Sequence, residues 1–294
     1  MAQERAGDSL SSSRLITGPV APPAWDAAAA EAEILPWLRG WTSVPTGTQL
    51  TVLPASLRQR SDLRRGEALL TVAMRRPALT AFDPLRAAYW DQPVTLAQLT
   101  FYFHELELYG LAARCAVRLA GLSPGRFLYL SPESLQRLAY PLPYADLLSA
   151  QAQERNLDPL LLAALVRQES LFEKEAESYA GARGLGQVMP ATGQGIAGTL
   201  GMADFVLDDL YRPAVSIRFA AFYLEVQLKR FGNNILVALA AYNGGPGNTM
   251  HWQEGTAHDL DLFVEAIGAS QSRIYLQRVY EQYLVYERLY RKTD

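Results

Sequence analysis

Glu169 is the residue of this chain best placed to move a proton. It stands at the end of an apolar run, Ala164-Leu-Val-Arg-Gln-Glu169-Ser170, where a carboxyl and a hydroxyl close an oily helix. A carboxyl held against apolar walls has its charged form disfavoured, so it stays protonated to higher pH and can act as a general acid. A surface glutamate at a helix C-terminus would instead oppose the helix dipole. The following loop, Ser178-Tyr-Ala-Gly-Ala-Arg-Gly-Leu-Gly-Gln187-Val-Met189-Pro190, supplies a second hydroxyl and an amide among small residues. Such residues permit tight turns and close approach of a ligand to the backbone. A third element, Ala240-Ala241-Tyr242-Asn243-Gly244-Gly245-Pro246-Gly247, delivers a tyrosine and an asparagine to a glycine-rich turn. Tyr242 is placed to hydrogen-bond Glu169 or a substrate hydroxyl, and Asn243 to bond its own backbone and fix the turn.

Helices are expected to carry these groups. Leu161, Leu162, Leu165 and Val166 give the Glu169 helix its apolar face, with Asp158 as cap and Pro159 at its first position. Helices are also expected over 190–200, 213–231, 235–242 and 272–292, the fourth of them rich in tyrosine. Before them, 25–150 reads as helical throughout. Thr95 is expected to cap a helix over 96–109 that Gly110 ends or interrupts. Ser131 is expected to cap another that opens on Pro132. Leu63-Arg-Arg-Gly66 and Leu108-Tyr-Gly110 form a faint repeat of the kind stacked helical hairpins produce. No sustained strand alternation is present, so the fold class is all-α. The two prolines of Tyr140-Pro-Leu-Pro-Tyr144 mark a boundary. The expected organisation is a flexible leader over 1–23, a helical-hairpin segment over 24–140 and a second domain over 141–294.

Composition narrows the function. A net charge of −3 and a sequence pI of about 5.7 argue against a nucleic-acid binder. The single cysteine, Cys115, excludes an intrachain disulfide, and His104, His251 and His258 fit no ligand spacing, so no metal and no cofactor are expected. No Gly-x-Ser-x-Gly elbow supports a serine triad. No run of about 20 apolar residues predicts a transmembrane segment. The opening residues show no basic stretch followed by an apolar one, so an export signal is not visible in them.

The Glu-Ser pair, the Ser-x-Ala-Gly-Ala-x-Gly-Leu-x-Gln-x-Met-Pro loop and the Ala-Tyr-Asn-x-Gly-Pro-Gly turn, in that order, resemble the catalytic domain of the soluble lytic murein transglycosylases. The resemblance covers about 140–290 and implies a goose-lysozyme-like fold. The helical region before it is similar, more faintly, to the end of that family's superhelix. The family cleaves the β-1,4 bond between N-acetylmuramic acid and N-acetylglucosamine in peptidoglycan without water, giving a 1,6-anhydro sugar. By position, the resemblance implies that Glu169 is the sole acid and then base. It puts Ser178 near the substrate's N-acetyl group and Gln187, Met189, Tyr242 and Asn243 at other substrate-binding positions. It implies peptidoglycan strands as the partner and the periplasm or cell envelope as the location. A conventional glycosidase needs two carboxylates; Glu173, Glu175 and Glu177 read as a solvated acidic turn, and assistance by the substrate removes the need for a second.

This chain departs from the family at four places. Gly186 stands where methionine is usual, which removes an apolar wall from the cleft. Lys174 replaces a common proline, Gly268 another, and Gln271-Ser272-Arg273 stands for Glu-Thr-Arg, which removes a charge expected near the substrate. Two other readings stay open: a hydrolysing, lysozyme-like muramidase with Glu173 as the nearest water-positioning carboxylate, and a peptidoglycan-binding protein without turnover.

Overall fold

The computed structural model describes residues 18–256 and 259–291. Most of the leader expected over 1–23, and His258, therefore lie outside the described residues. The fold is all-α, and the only extended pairings among the described residues are isolated bridges that join Glu177, Arg183 and Val188. The chain divides into two compact units. One is Pro22–Pro143 with Leu171–Ala176; the other is Tyr144–Ser170 with Glu177–Asp294 and takes in the chain through Ala21.

The first unit contains α1 (Ala27–Arg39), α2 (Ala55–Arg58), α3 (Ser61–Thr71), α4 (Arg75–Ala88), α5 (Pro93–Glu105), α6 (Tyr109–Leu122) and α7 (Glu133–Ala139). α3 packs on α4, α5 on α6, and α6 on α7. Phe82, Phe101 and Phe103 are fully enclosed in its core, with Cys115 buried beside Ala112 and Ala116. Gly66 lets α3 and α4 approach, because a β-carbon there would lie 2.4 Å from the Phe82 ring. Two expected caps are corrected. Gln92, not Thr95, precedes α5, and Pro93 opens it: proline fixes the first-turn φ and needs no N–H partner there. Ser131 does not cap α7. The N–H groups of Glu133 and Ser134 donate instead to the Glu33 carboxylate of α1, at 2.8 and 3.1 Å, and a charged acceptor makes the stronger cap.

The second unit contains α8 (Ala145–Arg155), α9 (Pro159–Ser170), α10 (Pro190–Thr199), α11 (Pro213–Arg230), α12 (Ile235–Gly244), α13 (Pro246–Gln253), α14 (Leu260–Ala266) and α15 (Ser270–Tyr290). α9 is buried at every residue from Pro159 to Arg167 and packs against α8, α11 and α15. A helix apolar on all sides must be enclosed by others. Polar rungs set the register between α9 and α15. Asp158, wholly buried, caps α9 by accepting from the Leu160 N–H at 2.8 Å, accepts from the Tyr283 hydroxyl at 2.8 Å, and pairs with Arg291. Further along, the Gln282 amide donates to the Gln168 side chain at 2.7 Å.

Candidate active site

The open end of α9 carries the acid. Gln168, Glu169 and Ser170 are its only partly exposed residues, so the helix meets the surface through its last turn alone. The Ser170 hydroxyl turns back and donates to the Val166 carbonyl at 3.1 Å; of the pair, only the carboxyl is directed elsewhere. The Tyr275 hydroxyl, from α15, donates to Glu169 Oε1 at 2.5 Å. Burial pushes the Glu169 carboxyl up to about 7, and the Tyr275 hydrogen bond, which favours the ionised form, holds it down against that. The carboxyl is thus poised to give and take a proton near neutral pH. Tyr242 and Tyr275 are both pushed well above the usual phenol range, by burial first and then by the Glu169 charge. They stay protonated and act as donors.

The glycine-rich loop is bound to this group through Gly186. Its carbonyl accepts from the Tyr242 hydroxyl at 2.9 Å, and its N–H donates to Ser216 Oγ of α11 at 3.2 Å. Nothing larger fits: a β-carbon on Gly186 would stand 2.6 Å from the Ala220 β-carbon. The position where the family usually carries methionine is therefore closed by Ala220 of α11. Gly184 is constrained in another way. It has φ +74°, which favours glycine, and a β-carbon there would strike the Leu210 carbonyl.

The expected site residues fall as follows. Ser178 closes its own loop: its Oγ accepts from the Ala182 N–H at 3.0 Å, and its N–H donates to the Ala182 carbonyl at 2.9 Å. Gln187 has φ +47°, and its side-chain amide donates to the Gly184 carbonyl at 3.0 Å. Met189, 43% exposed, precedes α10. Tyr242 does not bond Glu169; its hydroxyl is taken by Gly186, and its ring meets Tyr223 edge-on at 5.1 Å. Asn243 does not bond its own backbone through Oδ1, which accepts from the Ser272 hydroxyl at 2.9 Å. The turn is closed by Asn248, whose amide donates to the Gly244 carbonyl at 2.8 Å.

Glu173 is not part of a solvated acidic turn. Its side chain is 13% exposed and pairs with Arg75 at 2.7 Å. Leu171 and Phe172, between Glu169 and this ion pair, both adopt left-handed backbone, φ +50° and +60°, at a cost of about 1–2 kcal/mol each.

Tyr275 escaped the sequence reading. The signal was present, since Ser272, Tyr275, Leu276 and Val279 share the buried face of α15 at helical spacing, and a buried tyrosine hydroxyl requires a polar partner. Among the described residues, no cluster of His, Cys, Asp and Glu could hold a metal ion, and no helix is long and apolar enough to cross a membrane.

The fold is shared with solved lytic transglycosylases. The lytic transglycosylase Slt of Pseudomonas aeruginosa, an inactive mutant, superposes with a TM-score of 0.66 at 25% identity, over 82% of this chain and 38% of that one. The 70-kDa soluble lytic transglycosylase of Escherichia coli gives a TM-score of 0.67 at 24% identity, over 84% and 38%. Residues 146–261 match the Transglycosylase SLT domain. The soluble lytic murein transglycosylase of Salmonella typhimurium is 34% identical over 155 residues, which is 52% of this chain and 23% of that protein. The chain thus spans about a quarter of the length of the curated relatives it matches.

Proposed function

We propose that this protein is a peptidoglycan lytic transglycosylase, with 141–294 as its lysozyme-like catalytic domain and 24–140 as a preceding helical-hairpin segment. The observation that carries the reading is the Glu169 carboxyl, raised to about 7 by burial and held by Tyr275. In the proposed reaction Glu169 gives its proton to the glycosidic oxygen as the bond from the muramoyl anomeric carbon to that oxygen breaks. The substrate's own N-acetyl oxygen attacks the anomeric carbon and takes the place of a second carboxylate. The Glu169 carboxylate then removes the proton from the muramoyl 6-hydroxyl as that oxygen closes on the anomeric carbon and displaces the N-acetyl oxygen, giving the 1,6-anhydro sugar and restoring the N-acetyl group. One proton leaves the acid and one returns, with no water consumed.

The remaining residues bind and orient. The Ser178 hydroxyl, already accepting from Ala182, donates to the N-acetyl group. Gln187 and Met189 line the glycan, the exposed thioether giving apolar contact. Tyr242 shapes the cleft by fixing Gly186, and Asn243 by its bond to Ser272. Glycan strands as substrate place the protein in the periplasm or cell envelope. The Glu173–Arg75 pair speaks against the hydrolytic alternative, because the Glu173 carboxylate is already engaged by the Arg75 guanidinium at 2.7 Å and so is not free to orient a water.

The test is digestion of purified sacculi, wild type beside Glu169→Gln, with products identified by mass spectrometry. Anhydromuramoyl products that vanish in the variant are expected. Products heavier by one water would make the protein a hydrolase, and tight glycan binding without release would make it a binding protein.

A further inference from the structure

The chain crosses from one compact unit to the other immediately beyond the acid. Glu169 and Ser170 belong to the second unit, whereas Leu171–Ala176 belong to the first. The first two residues of the crossing segment are the left-handed Leu171 and Phe172. Non-glycine residues persist in this conformation only where their surroundings hold them. The surroundings are specific. Phe172 is buried. Gly110 in the first turn of α6 makes room for Leu171, since a β-carbon there would stand 3.3 Å from the Leu171 β-carbon. Arg75, at the start of α4, donates through Nε to Glu173 Oε1 at 2.7 Å and through Nη2 to the Glu107 carbonyl at 2.7 Å. Its neighbour Arg76 donates to the Glu175 carbonyl at 2.5 Å. Glu173 in turn accepts from the Glu175 N–H at 3.3 Å. The Arg75 and Glu173 side chains are 15% and 13% exposed, so solvent weakens this pair little.

We propose that Arg75 is a positioning residue for the transglycosylase reaction: paired with Glu173, it clamps the left-handed segment that ends the Glu169 helix and so fixes the carboxyl in its catalytic pose. Arg75 touches neither substrate nor acid. It acts through Glu173 and the four-residue path back to Glu169. Arginine suits the task, because its planar fork holds a carboxylate and a carbonyl at once, where lysine offers a single ammonium. Should the clamp open, Leu171 and Phe172 relax toward right-handed backbone, the last turn of α9 frays, and water reaches the Glu169 carboxyl. Hydration favours the ionised form, so the acid is lost at lower pH.

The inference rests on the proposed role of Glu169, and its test separates the two. Initial rates of sacculus digestion are measured from pH 5 to 9 for the full chain as wild type, Arg75→Ala, Glu173→Gln, Arg75→Lys, the charge-swapped pair Arg75→Glu with Glu173→Arg, and Glu169→Gln. Folded fraction is followed by circular dichroism, and rates are expressed per folded molecule. Arg75→Ala and Glu173→Gln are expected to lower kcat about tenfold, leave KM within twofold, and move the alkaline limb of the pH profile to lower pH. Arg75→Lys and the swapped pair are expected to recover part of the rate. Unchanged kcat and an unmoved limb in both single variants would overturn the clamp, as would a loss explained by unfolded protein alone. A Glu169→Gln variant that keeps the wild-type rate would overturn the role of Glu169, and the clamp with it.

Discussion

The two units treat buried polar groups differently. In the first, several of these groups close on nearby backbone, with Gln98, whose amide donates to the Gln49 and Val52 carbonyls at 3.0 Å, an exception. Thr100 donates to the Leu96 carbonyl at 2.8 Å, Ser123 to Ala120 at 2.7 Å and Gln136 to Ser131 at 2.6 Å. In the second, those along α9 and α15 join elements far apart in sequence. Tyr283 reaches Asp158 across 125 residues, Gln282 reaches Gln168 across 114, and Tyr275 reaches Glu169 across 106. A helical hairpin is specified well enough by apolar faces, and its polar groups need only be satisfied where they stand. A catalytic carboxyl needs one particular neighbour at one distance, and long-range polar rungs select that arrangement over other packings of the same oily helices.

The contrast can be broken at several depths. Glu169→Gln should reduce glycan release by about a thousandfold, the scale of a lost general acid. The same variant should be more stable than the wild type at alkaline pH. Folding raises the Glu169 pKa from 4.5 to about 7, so its favourable contribution is complete below the unfolded value and is lost as pH rises through the folded one. Melting curves at pH 5 and pH 9 should show the gap in favour of Gln widening by about 1–3 kcal/mol.

Asp158→Ala removes a buried cap and the partner of both Tyr283 and Arg291, and should cost about 3 kcal/mol in urea unfolding. Tyr275→Phe deletes the donor that favours ionised Glu169. The alkaline limb of the rate profile should then move to higher pH, the opposite direction to the Arg75 variants, with kcat down about tenfold, or ~1.4 kcal/mol. Thr100→Val, in the first unit, should change stability by less than ~1 kcal/mol, since its hydroxyl only doubles an interaction at a carbonyl already inside a helix. An equal loss from Thr100→Val and Asp158→Ala would erase the distinction between the units.

Much of the fold was legible because helix signals are local. Asp158-Pro159 opened α9 as expected, and the helices opening at Pro190 and Pro213 begin on those prolines. The caps that failed did so for reasons distant in sequence: the α7 amides belong to Glu33, 100 residues away. The candidate site divides in the same way. Glu169 could be singled out from its own helix, because the apolar run ending on a carboxyl is written in twelve residues. Helical spacing marks Tyr275 as buried, but its partner, like that of Arg75, is not local, and no periodicity reports a hydrogen bond across 106 residues. Gly186 was visible as a departure from the family, but its physical meaning required Ala220, whose methyl fills the space that a side chain there would need.

The separation of Glu169 from Tyr275 also has a consequence in time. A ribosome adds about 5–20 residues per second, so the 106 residues between them correspond to about 5–20 s of synthesis. Throughout that interval the acid has been made and its phenol has not. Until α15 docks, Glu169 lacks both the Tyr275 hydroxyl and the part of its enclosure that α15 provides. The chemistry proposed for Glu169 therefore waits on a helix whose tyrosine is made 106 residues later.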